Sequence, residues 1–138
     1  MAVFTSTSKL THAGTMTMLA AAIAKAEEIG QPQCIVIVDA SGELLGEIRM
    51  IGAKFLSRKS ALSKALTAAS IGAPSTNIPE AVRTNIGLAT DGVITGLPGG
   101  LPIHINGDLV GGIGIGSGSG EQDITVAEAA LQAINADA

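Results

Sequence analysis

"GGIGIGSGSGEQD" spans Gly111–Asp123, and six of its first ten residues are glycine. Read as a phosphate cradle, this stretch makes the chain a nucleotide enzyme. Read as a strand, it makes the chain a sheet protein with one bare face. The dinucleotide fingerprint needs glycine at n, n+2 and n+5, and the glycines at 111, 112, 114, 116, 118 and 120 contain no such triplet. A P-loop ends in Gly-Lys-Ser/Thr, and no lysine follows here. What remains is a strict period of two. Strand side chains alternate between faces, so Gly112, Gly114 and Gly116 share one face while Ile113 and Ile115 share the other. A bare strand face costs backbone entropy and makes sense where another body must come close. Two readings follow: a helix or neighbouring subunit packs on the smooth face, or a flat or bulky ligand lies there.

Working outward, Asn106-Gly107 followed by Asp108 is a tight two-strand turn between "PIHI" and "LVGGIGIG". A helix follows the glycines over about Gly120–Asn135, with Val126, Ala130, Leu131 and Ile134 inward and Ser119/Gln122 at capping-box spacing. Upstream, "CIVIVDA" (Cys34–Ala40) reads as a strand buried on both faces. "ASG" turns it into "ELLGEIRM", which makes a hairpin. Thr11 is placed to cap a helix running to about Ile29, with Met16, Leu19, Ile23 and Ala26 on one face. Ser57–Gly72 reads as a second helix with a Leu62, Leu66, Ala69 stripe. "DGVITG" reads as a further strand. The order α-β-β-α-(loop)-β-β-β-α predicts one α/β (α+β) domain over residues 1–138, with a mainly antiparallel sheet of about five strands and helices packed on it.

Composition narrows the function. Net charge is −4, and no basic run exceeds Arg58–Lys59, which argues against nucleic acid as a partner. Only Phe4 and Phe55 are aromatic, so stacking platforms for bases are missing. Charged residues make up 14% against 46% hydrophobic ones, a balance that suggests surface covered by other subunits in a homo-oligomer. No secretory leader is visible, and "TMTMLAAAIAKAEEIG" is broken as a membrane span by Lys25, Glu27 and Glu28. A cytoplasmic location is expected. The single cysteine, Cys34, forms no internal disulfide and reads as a small core residue.

"IVIVDASGELLGEIRM", "ALSKALTAASIGAPS", "GLPGGLPIHINGDLVGGIGIGSGSGEQD" and "AEAAL", in that order over roughly Thr11 to Ile134, resemble the GlcG/HbpS family of haem-binding-type domains. That domain also forms the C-terminal part of PduO-type proteins. The resemblance implies an antiparallel α/β domain, a homo-oligomer and a small-molecule pocket, with haem or another tetrapyrrole bound by some members. Carried over residue by residue, it marks Asp39, Arg49, Lys64, Gly99 and Gly100, the glycine strand with Gly112 and Gly114, and the acidic cap Glu121 and Asp123.

Two functions are open at this point. One is a ligand-binding domain holding haem or another flat cofactor, with His12 as the metal ligand and Met16, Met18, Met50 or Cys34 behind it. The other is a cofactor-independent enzyme. Lys64, Arg49 and Glu121 would bind a small unsaturated carboxylic acid and move protons, as an isomerase, tautomerase, hydratase or hydrolytic deaminase does. Each residue also has a plain structural alternative. Lys64, among Ala61, Ala65 and Ala68, could be a snorkelling surface lysine. Glu121 and Asp123 could simply favour a helix N-terminus. Arg49 could pair with Glu47 or Glu43, and His104 reads as a surface strand residue.

Overall fold

The computed structural model describes residues 1–138. Helix α1 covers His12–Glu28, and the Thr11 hydroxyl accepts the Gly14 N–H at 3.1 Å to cap it. Strands β1 (Cys34–Asp39) and β2 (Leu44–Arg49) form the first hairpin. Helix α2 runs over Ser57–Ile71 and ends on Gly72 in the left-handed region. Two 3-10 turns (Ser75–Asn77, Glu80–Val82) and the short helix α3 (Arg83–Ala89) lead to β3 (Gly100–Ile105), β4 (Asp108–Gly116) and α4 (Gly120–Ala133). The capping box of Ser119 and Gln122 is present in both directions.

The sheet has four strands in the order β2-β1-β4-β3, all antiparallel. The expected fifth strand is a loop. Asp91 and Gly92 take positive φ values of 55° and 79°, which turns the chain. The N–H groups that would feed a ladder go to hydroxyls instead: Ile94 N to Thr90 and Thr95 N to Thr67. Side-chain oxygens thus replaced strand partners.

β1 and β4 lie in the middle of the sheet, which explains why "CIVIVD" is apolar on both faces. One face carries Ile35, Ile37, Ile113 and Ile115, packed with Met18, Ala22 and Ala26 of α1 and Val126, Ala127 and Ala130 of α4. The other face carries Cys34, Val36 and Val38 under Ala61, Ala65 and Ala69 of α2. The result is three layers, α/β/α.

Both expected helix faces are rotated. In α1, Met18 is buried while Met16 is 64% exposed, with Leu19 and Ile23 at the margin. In α2, the alanines and Lys64 go in, while Leu62 stays exposed and Leu66 only half enters. The glycines explain the second case. A Cβ on Gly114 would overlap the Ala61 carbonyl oxygen and sit 2.6 Å from Ala65 N; one on Gly112 would overlap the Ala65 carbonyl oxygen. Backbone lies on backbone, so only alanine fits between them and leucine is turned away. Of the two readings of the bare face, the helix occupies it, and Gly112 and Gly114 have no room there for a ligand.

Candidate functional site

Lys64 projects from the alanine face of α2 past the end of β4 and is 5% exposed. Its Nζ donates to the Ile115 carbonyl at 2.7 Å and to Asp123 Oδ2 at 2.9 Å. Asp123, in the first turn of α4, is also buried; its Oδ1 accepts the Gly118 N–H at 3.1 Å. This buried ion pair joins the helix layer on one face of the sheet to the helix layer on the other.

The Pro98–Gly100 turn closes over it. Gly99 has φ +116°, and a Cβ there would meet Asp123 Cβ and the Ile115 carbonyl, each at 2.8 Å, and Lys64 Nζ at 3.2 Å. Only glycine lets the backbone pass this close. Gly100 lies on the Lys64 carbonyl and donates its N–H to Ser75 Oγ at 3.1 Å. Beside the pair opens a polar pocket of about 260 Å³, lined by Lys54, Ser57, Ser60, Lys64, Ser117 and Asp123, with Pro98, Gly118 and Gly120 at its wall.

Four residues marked by the sequence therefore meet: Lys64, Asp123, Gly99 and Gly100. The others do not join them. Glu121 is exposed and outside the pocket lining; Asp123, two residues on, takes the lysine instead. Arg49 is exposed on the edge strand β2, opposite Cys34 and two strands from Gly116, and forms no ion pair; Glu47 pairs with Arg58 at 2.9 Å. Asp39 sits at the far end of the sheet, where Oδ1 accepts the N–H groups of Ser41 (2.8 Å) and Glu43 (3.0 Å) and shapes the first hairpin.

His12 opens α1 on the opposite face of the sheet, at the hairpin end. It is exposed and forms no hydrogen bond, and Met16 lies one turn further along the same side of the helix. No cluster of three His, Cys, Asp or Glu side chains stands ready to cage a bare metal ion. His104 lines a separate cleft between β3 and the C-terminal half of α4. At Cys34, burial pushes the thiol pKa up, with the nearby Arg49 and Arg58 offsetting part of the rise.

Sequence reading missed Lys54, Ser57, Ser60 and Ser117 as pocket residues. Ser117, a non-glycine between two glycines, takes φ +95°, a conformation that nothing in the sequence announces. Its hydroxyl accepts the Lys54 N–H at 3.0 Å and holds that segment at the pocket rim. Gln33 gave no signal; it is fully buried, and neither end of its amide has a partner.

A three-layer domain with a four-stranded antiparallel sheet, a glycine floor under α2 and a buried Lys–Asp pair defines an α+β domain of a recognisable kind. The family described as "Haem degrading protein HbpS-like" matches residues 10–132, and the chain belongs to that family. The corrinoid adenosyltransferase PduO of Citrobacter freundii is 37% identical over 120 residues, which are 83% of this chain and 36% of that protein. The chain thus spans about a third of the length of this curated relative. The crystal structure of Klebsiella pneumoniae protein ORFY aligns with a TM-score of 0.93 at 30% identity, covering 100% of this chain and 99% of that one. The crystal structure of a PduOC:heme complex aligns with a TM-score of 0.88 at 29% identity, covering 94% and 98%. No helix is long and apolar enough to cross a membrane.

Proposed function

We propose that this chain is a haem-binding domain in which His12 is the axial ligand. The observation that carries the reading is the free imidazole of His12 at the start of α1, in a fold that superposes over nearly its whole length on a haem complex. The residues fit the group in chemistry. The imidazole is exposed and uncommitted, and Met16 beside it adds apolar surface and a soft sulfur. Haem, when bound, would supply an iron centre for ligation. His12 would hold it through an imidazole nitrogen, with the exposed Met16 side chain beside it.

None of the main pockets of a single copy is lined by His12, which is in keeping with a ring shielded by a second copy. Met16, Leu44, Leu45, Ile48, Phe55 and Leu56 are all exposed, which supports a homo-oligomer whose boundary shields them. A cytoplasmic location belongs to the same reading. Nothing in the geometry favours the proton-transfer alternative, since Arg49 and Glu121 do not line the pocket of Lys64.

Hemin titration tests the reading. Purified protein is expected to develop a saturable Soret band, and His12→Ala is expected to shift and weaken it while the fold, read by circular dichroism, is kept. A Soret spectrum unchanged in His12→Ala removes the axial role, and the absence of any saturable band removes haem.

A further inference from the structure

We propose that the pocket beside Lys64 is a second binding site, built for a small oxyanion such as a carboxylate or a phosphate. It lies at the other end of the sheet from His12 and does not depend on the haem reading.

The pocket lining holds two lysines and one carboxylate: Lys64, paired with Asp123, and the exposed Lys54 at the rim. Each oxygen of Asp123 accepts a hydrogen bond, Oδ2 from Lys64 and Oδ1 from Gly118 N–H, so its charge is partly offset at the pocket wall. The Lys64 ammonium has three N–H donors, of which two are used. A nearly fully buried cation with a donor left over gains from any acceptor placed in the pocket. Ser57, Ser60 and Ser117 add hydroxyls to the same lining. The first-turn N–H groups of Gly120 and Glu121 lie outside the capping box, which uses those of Ser119 and Gln122. Behind the wall, the unpartnered Gln33 amide nitrogen lies 2.9 Å from where a Cβ on Gly118 would sit, so this corner holds more polar capacity than the chain itself satisfies. A volume of about 260 Å³ admits a compact anion with a few waters and is too small for a nucleotide or a tetrapyrrole.

The test is a titration followed by amide NMR shifts. Sodium acetate and sodium phosphate are added separately at constant ionic strength, with sodium chloride as the reference salt. Saturable shifts are expected at Gly118, Ser119 and Gly120, and the anion that saturates at lower concentration names the class. Lys64→Gln strips Asp123 of its partner and puts the fold at risk, so the deciding variant is Lys54→Ala. The Lys54 side chain makes no hydrogen bond, and its removal is expected to weaken binding about tenfold with the spectrum otherwise intact. Shifts that rise without saturating, shifts that chloride reproduces, or a midpoint unchanged in Lys54→Ala each overturn the proposal.

Discussion

Adding one methyl group at Gly114 should unseat α2. A Cβ there overlaps the Ala61 carbonyl oxygen and lies 2.6 Å from Ala65 N and 2.9 Å from Ala61 C. These are backbone atoms of a helix, so no rotamer change makes room. Ordinary contact needs about 3.5 Å, so α2 must lift by about an ångström along this seam. Lifting it pulls Lys64 from Ile115 and Asp123, whose bonds of 2.7 and 2.9 Å have no slack. Overpacking costs about 1–3 kcal/mol, and loosening the buried pair brings the expected loss for Gly114→Ala to about 3–4 kcal/mol. For a chain of 138 residues that is a fall in Tm of roughly 10 °C. Gly30→Ala is the control. Gly30 has a positive φ, +71°, which Gly114 lacks, but nothing lies within 4 Å of its added Cβ, so only the left-handed backbone cost of about 1 kcal/mol applies. Urea denaturation read by circular dichroism gives both values. If Gly114→Ala loses no more stability than Gly30→Ala, the close backbone seam is not what holds α2 in place.

Two further outcomes follow from the buried groups. Lys64→Met or Asp123→Leu alone leaves one uncompensated charge inside and should cost about 3–5 kcal/mol, whereas Lys64→Met combined with Asp123→Leu should recover most of the loss; a double-mutant cycle in urea measures the coupling. The raised Cys34 pKa means the fold favours the neutral thiol. Its stabilising contribution is therefore complete below the unfolded thiol's pKa, about 8.5, and is lost as pH rises through the higher folded value. Stability measured against pH should fall on that alkaline side, and the Cys34→Ala variant should show a flatter alkaline limb.

The sheet and its helices were legible because their signals are local. Thr11, Ser119 with Gln122, Asn106-Gly107 and Gly72 each mark a boundary by their own chemistry, and the structure keeps all of them. The fifth strand was misread because "VIT" carries strand propensity, while the hydroxyls of Thr67 and Thr90 that claim its N–H groups lie outside it in sequence. The face of α2 was misread for a related reason. Periodicity favours the largest apolar residues, but the glycine floor admits only the smallest, so Ala61 and Ala65 displaced Leu62. At the site, Lys64 and Asp123 were both marked, yet their pairing was not, because Glu121 and Asp123 share one helical turn and one-dimensional spacing does not say which of them turns inward.

The alanine–glycine seam also bears on how the chain reaches its fold. Its two halves, Ala61 and Gly114, are roughly fifty residues apart, so the contact demands closure of a long loop before any reward is collected. Neither side presents a large greasy surface to trap the other early, and the fit tolerates no approximate docking. The seam therefore has to be met by main-chain atoms alone, with no side chain on either part able to adjust to an imprecise approach.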